Sequence, residues 1–219
     1  MRDSYVQQLD KLHGELIKMG SLCEEAIGCA VKGLLEEDER TRARAIEAER
    51  EIDVKEREIE AFCIRLLLRE QPVAGDLRRI AAAQKMITDM ERVGDHAEDI
   101  AELARFIDNR AANSGVHIAD MAAAAAKMLT DAIDAFVAAD LGKVRAVQKY
   151  DDVVDELFTR IRGELVARIT RDPGDAAVCL DLLMIAKYLE RIGDHAQNIA
   201  EWVDFSITGE MKGVKVMSG

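Results

Sequence analysis

The sequence predicts an all-α fold made of two copies of one three-helix bundle. The main observation is a thirteen-residue helical phrase that occurs twice at an offset of 99, at residues 90–102 and again at 189–201. The second is composition: aromatic residues make up only 4% of the chain, and both prolines, Pro72 and Pro173, fall at predicted turns. The third is the recurrence of apolar residues at three- and four-residue spacing between those turns.

The repeat extends upstream of the duplicated phrase. Residues 49–53 align with residues 151–155 at an offset of 102, and the same offset aligns Ile59 with Ile161. The offset falls to 99 before the second phrase, so the first of the two proline-containing turns is three residues longer. Turns absorb such insertions at little cost. Internal duplication therefore divides the chain into two predicted domains, residues 1–110 and 116–210.

The first three helices are predicted from apolar periodicity and from their breaks. Helix one is expected over residues 4–35, and the acidic stretch Glu36-Glu37-Asp38 follows it. Helix two is expected over residues 39–69, because Pro72 cannot continue it. Helix three, over residues 74–110, carries the first copy of the phrase.

Residues 109–115, Asn-Arg-Ala-Ala-Asn-Ser-Gly, have the composition of a linker and lie at the midpoint of the chain. Helix four is predicted over residues 116–138, helix five over 140–170 with Asp140 as its N-cap, and helix six over 174–208. Six long helices joined by short turns indicate two antiparallel three-helix bundles.

Composition excludes several classes of protein. The net charge of −12 argues against a nucleic-acid-binding protein, which needs clustered lysine and arginine. No run of 18 apolar residues occurs, and the polar start is unlike a signal peptide, so a cytoplasmic protein is expected. The four cysteines lack the spacing of metal ligands and are predicted to be buried thiols. They are Cys23, Cys29, Cys63 and Cys179.

Carboxylates follow one flank of helices two and three. On a wheel of about 100° per residue, Glu91, Asp95 and Asp99 form a stripe beside the apolar face of helix three. Glu49 and Asp53 hold the matching position on helix two, so antiparallel packing could merge the two stripes. The second half repeats the pattern with Asp151, Asp155, Glu190 and Asp194.

Clustered carboxylates have two interpretations. Like charges four residues apart destabilise a helix by about 0.2–0.5 kcal/mol per pair, and a hard, oxygen-preferring cation would remove that cost. Magnesium, manganese, calcium and iron all suit such ligands. The alternative is a solvated acidic face with arginine partners such as Arg50 and Arg92. Repetition of the same acids in both halves adds weight to the metal hypothesis, and both interpretations stay open.

The other distinctive residues of the phrase favour structural roles. His96 and His195 lie away from the carboxylate stripe, and no Glu-x-x-His pair of a di-iron bundle is present, so a helix-surface or interface role is predicted. Gly94 and Gly193 are expected to allow close approach of a neighbouring helix. Trp202 is expected to be a packing anchor. The sequence contains no recognisable nucleophile with its base or phosphate-binding loop, so an enzyme is not predicted.

The duplicated Glu-Arg-(Val/Ile)-Gly-Asp phrase, the upstream acidic pairs and the Gln71-Pro-Val-Ala-Gly-Asp-Leu-Arg78 turn resemble the PhoU family over nearly the whole chain. The resemblance implies two three-helix bundles that act as a negative regulator of phosphate-starvation signalling and phosphate uptake. It further implies a link between the ATPase of the phosphate-specific ABC transporter and a sensor histidine kinase. A cytoplasmic homodimer that reaches the membrane only through those partners is expected.

The resemblance also implies multinuclear metal sites, with iron, manganese or magnesium as the expected ions and zinc as a further candidate. The family motif matches at eight positions, and the halves diverge one turn further on, where Asn198 replaces Asp99 and Gln197 replaces Glu98. The first site is therefore expected to bind a cation more tightly. The expected ligands are Glu49, Asp53, Glu91, Asp95, Asp99, Asp151, Asp155, Glu190, Asp194 and Asn198.

Two alternatives remain at the level of the sequence. One is a carboxylate-bundle metalloenzyme or metal-storage protein, which predicts ligands inside a bundle core and at least one Glu-x-x-His pair. The other is a helical scaffold that binds no metal. Metal analysis of the purified protein separates the second alternative from the leading hypothesis.

Overall fold

The predicted all-α fold is confirmed. The computed structural model describes residues 2–70, 72–108, 116–211 and 214–215, and most of these residues are helical. The helices are α1 (Arg2–Leu35), α2 (Glu39–Glu70), α3 (Ala74–Leu103), α4 (Ile118–Ala138), α5 (Leu141–Arg171) and α6 (Ala176–Thr208). After α6, a short hairpin pairs β1 (Glu210–Met211) antiparallel with β2 (Val214–Lys215).

The predicted end of the third helix is wrong. The α-helix stops at Leu103 rather than at residue 110, and one 3-10 turn, Ala104–Phe106, follows it. Ile107 then adopts an extended backbone and is buried, whereas Phe106 is exposed. Because the backbone leaves the helical conformation at this point, the apolar Ile107 side chain enters the core. The predicted linker at residues 109–115 lies outside the described residues, as does Gln71 of the first proline turn.

The helix start at Asp140 is confirmed as an N-cap. Its side chain accepts hydrogen bonds from the backbone N–H groups of Gly142 at 2.7 Å and Lys143 at 3.3 Å. Ala139, just before it, has φ of 49° and ends α4 in the left-handed conformation. The cap and the reversal together turn the chain between two antiparallel helices.

The two repeats share one hydrophobic core. Within each repeat three helices pack together, and the repeats meet through α3 against α6 and α1 against α4. Three of the four cysteines are buried, Cys29 is half-buried, and all four are free thiols. Trp202 is also half-buried, packs on this core and contacts Phe205 edge to face, as expected of a packing anchor. No described helix is both long and apolar enough to cross a membrane.

Equivalent contacts in the two repeats confirm the alignment made from the sequence. A Cβ atom on Gly94 would lie 3.1 Å from Ile52 Cδ1, and one on Gly193 would lie 3.2 Å from Val154 Cγ1. Ile52 and Val154 are related by the offset of 102, and the two glycines by the offset of 99. The glycines thus allow α3 to approach α2, and α6 to approach α5, at corresponding points.

Candidate metal centre

The first acidic cluster forms where Gly94 lets α3 approach α2. Glu49 and Asp53 on α2 face Glu91 and Asp95 on α3, and all four side chains are half-buried. Burial raises the pKa of Glu49 to about 7, and the negative charges of Glu98, Asp53 and Asp95 add to the effect. The first cluster therefore carries negative charge that the protein does not fully neutralise.

Arginines compensate part of this charge. Arg92 Nη1 lies 2.8 Å from Asp95 Oδ2, and its Nε lies 3.4 Å from Glu91 Oε2. Arg57 Nη2 lies 2.7 Å from Asp53 Oδ2. Both arginine side chains are more than half exposed, so each pair contributes little to stability and can open at low cost. These contacts are what the solvated-face alternative requires, yet Arg57 and Arg92 pair with other carboxylates, and Arg50 offsets the raised pKa of Glu49 only in part.

The second acidic cluster occupies the equivalent place between α5 and α6. Burial raises the pKa of Asp151 to about 6, and Asp155 and Asp194 contribute further. Lys187 pairs with Glu190. Asp151 and Glu190 are half-buried, whereas Asp155 and Asp194 are exposed. The structure thus brings together in each repeat the four carboxylates that the sequence singled out.

The clusters differ at one position beside the metal candidates. Glu98 lies near Glu49 and raises its pKa, whereas the equivalent Gln197 donates hydrogen bonds from its amide nitrogen to Asp151, 3.2 Å from Oδ1. A neutral donor therefore replaces a repelling carboxylate in the second repeat. The first cluster has the higher negative charge, as the sequence indicated.

The donor set fits a hard cation. Every candidate side chain in the two clusters offers carboxylate oxygen, the ligand type that magnesium, manganese and iron accept. Within the described residues, no three His, Cys, Asp or Glu side chains are already grouped for coordination. Binding therefore requires the carboxylates to rotate together, away from their arginine and lysine partners. Their half-buried or exposed positions on the helix flank differ from the core ligands that the metalloenzyme alternative predicts.

Asp99 and Asn198, predicted to extend the metal sites, lie close to the contact between the repeats. Asn198 Nδ2 on α6 donates to Asp89 Oδ1 on α3 at 3.2 Å. Asp99 Oδ2 lies 3.5 Å from His96 Nδ1. Asp99 and Asn198 stay predicted ligands, although each of them also contacts a neighbour at the α3–α6 contact.

This contact has approximate two-fold symmetry centred on the two histidines. The rings of His96 and His195 lie 5.6 Å apart. His96 stacks on Tyr188 at 5.6 Å, and His195 Nδ1 lies 2.9 Å from Asp89 Oδ1. Asp89 and Tyr188 occupy equivalent positions in the two repeats, because they are related by the offset of 99. Each histidine therefore contacts this position on the helix of the other repeat. The predicted interface role of the histidines agrees with this arrangement, whereas the role of Asp89 was not foreseen.

The raised pKa values predict how stability depends on pH without metal. Glu49 has an ordinary pKa of 4.5 and a folded value of about 7, so between these values the folded state binds more protons than the unfolded state. The free energy of unfolding should therefore fall as pH rises from 5 to about 7, by less than about 1 kcal/mol because solvent screens the site. Urea denaturation with a chelator should show a flatter profile for Glu49→Gln. A profile identical to that of the wild type would contradict this interpretation.

A fold of two three-helix bundles with paired acidic clusters defines a class of duplicated helical-bundle proteins rather than one activity. The chain belongs to the PhoU family: the PhoU domain matches residues 16–104 and again residues 118–203. It is 37% identical over 211 residues to the phosphate-specific transport system accessory protein PhoU homolog of Clostridium acetobutylicum, covering 95% of this chain and 96% of that one. Identity to the Pseudomonas aeruginosa homolog, which bears the same description, is 33% over 92% of this chain and 84% of that protein.

Two solved structures have the same fold as this chain. The crystal structure of PhoU from Pseudomonas aeruginosa superposes with a TM-score of 0.84 at 32% identity and covers 94% of this chain and all of that one. A second structure, the phosphate transport system regulatory protein PhoU from Streptococcus pneumoniae, has a TM-score of 0.85 at 24% identity, with coverage of 94% and 98%. The second likeness supports the fold alone.

Proposed function

We propose that this protein is an accessory regulator of a phosphate-specific transport system that keeps phosphate-starvation signalling repressed when phosphate is abundant. In this role it links the ATPase of the transporter to a sensor histidine kinase, as a cytoplasmic homodimer and not as an enzyme. Support comes from family membership over both repeats and from the names of the relatives. The net charge of −12 fits protein or cation partners better than nucleic acid.

The observation that carries the regulatory proposal is the duplicated acidic cluster on a PhoU-type fold. Four carboxylates recur at equivalent places in both repeats, although burial and neighbouring negative charges raise the pKa of Glu49 and of Asp151. Retaining such an arrangement has a stability cost that a bound cation would offset. A metal would supply positive charge that binds α2 to α3 and α5 to α6.

A deletion strain tests the regulatory role. Without this protein, phosphate-responsive genes should be expressed in phosphate-rich medium, where the intact strain represses them. Reporter expression at high and low phosphate measures the effect, and a plasmid copy of the gene should restore repression. If the deletion strain still repressed these genes fully at high phosphate, the proposed function would be wrong. Co-purification at both phosphate levels would identify the ATPase and kinase contacts separately.

A further inference from the structure

A basic groove lies between α1 and α2 on the first repeat. Its volume is about 780 Å³, and five basic side chains line it against two carboxylates, Glu15 and Glu58. This excess of positive charge stands out on a chain whose net charge is −12. The basic residues are Lys11, Lys18, Lys55, Arg57 and Arg65.

Two of these cations have no carboxylate partner among the described residues. Glu15 pairs with Lys18 at 2.8 Å and with Lys55 at 3.1 Å. Lys11 and Arg65 instead lie over the buried ring of Phe62, 5.3 Å and 5.6 Å from its centroid. Both are exposed to solvent, so their charges are available to an acidic ligand.

The same face of α2 also exposes apolar side chains. Val54 lines the groove and is 53% exposed, and Leu68, one turn beyond Arg65, is 78% exposed. Positions 54, 57, 61, 65 and 68 follow the spacing of a single helical face. Exposed apolar groups between cations are typical of a surface that contacts another protein.

Comparison of the two repeats shows that three cations of the groove are particular to the first. At the offset of 102, Leu157 replaces Lys55, Thr159 replaces Arg57 and Ala167 replaces Arg65. At the same offset the carboxylates of Glu49 and Asp53 are kept, as Asp151 and Asp155. These three cations of α2 therefore have no basic counterpart on α5, whereas the acidic pair of α2 does have its counterpart there.

We propose that this groove binds an acidic amphipathic helix of a partner protein. From Val54 to Arg65, a rise of 1.5 Å per residue gives a groove of about 17 Å, roughly three turns of a partner helix. Its walls are the sides of two helices, whose backbone N–H groups are used within the helices. It therefore lacks the free N–H groups that hold nucleotide phosphates. The proposal does not depend on the regulatory role or on the metal sites.

Fluorescence anisotropy with the full-length protein tests the proposal. The probe is a labelled amphipathic peptide of about five helical turns, built from Glu, Leu and Ala. Charge reversal at the two unpaired cations, Lys11→Glu with Arg65→Glu, should weaken binding by about tenfold or more. The matched control, Arg145→Glu with Arg162→Glu, makes the same change in net charge at exposed positions of α5 and should change binding less than about twofold. Circular dichroism verifies that both variants remain folded.

Four outcomes would overturn the proposal. The first is equal binding by the wild type and the groove variant. The second is an equal loss in the α5 control, which would indicate a response to net charge alone. The third is a groove-dependent loss with tripolyphosphate or with phosphatidylglycerol vesicles but not with the peptide, which would identify a phosphate-bearing ligand. The milder pair Lys11→Gln and Arg65→Gln should give an intermediate loss, and unchanged binding in this pair would also contradict the proposal.

Discussion

Gly94→Leu is expected to destabilise the protein by about 3 kcal/mol or more. Even a Cβ atom at this position would lie 3.1 Å from Ile52 Cδ1 and 3.3 Å from Ile52 Cγ2. The larger leucine side chain must displace the buried Ile52 or push α3 away from α2, and both responses disturb a closely packed core. Urea denaturation at neutral pH measures the change in the free energy of unfolding.

Gly163→Leu is the matched control for this prediction. Gly163 is exposed on α5 and has no atom within 4 Å of the position of an added Cβ. Leucine has the higher helix propensity, so this change should stabilise the protein by about 0.5–1 kcal/mol. Since Gly94→Leu gains the same propensity, the difference between the two variants isolates the packing cost. Equal effects at both positions would show that α2 and α3 do not pack closely at Gly94.

Duplication explains why so much of this contact could be predicted from the sequence. Gly94 and Gly193 occupy equivalent positions on the apolar faces of their helices. Because glycine occurs at this position in both repeats, the sequence indicates that a neighbouring helix approaches closely there. The carboxylates lie beside that approach on the same helices, so their convergence within each repeat followed from helical geometry. Local spacing was sufficient because each site is contained in one antiparallel helix pair.

Contacts between the repeats could not be predicted in this way. The helical wheel placed Asp99 in a stripe beside the apolar face of helix three, because the sequence does not show which helices of different bundles meet. The packing of α3 on α6 places the residues one turn beyond the acidic clusters beside the two histidines instead. Asp89, which contacts both His195 and Asn198, has Tyr188 as its equivalent, so the duplication gave no signal for it.

The basic groove was missed for a different reason. Its cations lie on two helices that are separate in the sequence, and acidic residues outnumber basic ones along the chain. Only the packing of α1 on α2 brings Lys11 to the Phe62 ring that Arg65 also contacts. The net negative charge of the whole chain therefore gave no indication of this local excess of positive charge.

Asp95→Asn combined with Asp194→Asn is expected to abolish most of the stabilisation that metal gives to the wild type. For a wild-type protein with metal at about 100 times its dissociation constant, stability should rise by about 2.7 kcal/mol. In a chain of this length that corresponds to an increase in Tm of about 5–10 °C. Thermal melts of chelator-treated protein, with and without Mn²⁺ or Fe²⁺ under anaerobic conditions, measure the shift, and elemental analysis measures bound metal.

The metal-free double variant should be as stable as the wild type, within a few tenths of a kcal/mol. At Asp194 the change relieves repulsion, because burial and the charge of Glu190 raise the pKa of its carboxyl. At Asp95 the relief is offset by loss of the ion pair with Arg92. Asp10→Asn with Asp181→Asn removes the same charge outside the clusters and should leave the metal-induced shift intact. If metal instead raised the Tm of the wild type and the cluster variant equally, both carboxylate clusters would be ordinary solvated surface, paired with Arg57, Arg92 and Lys187.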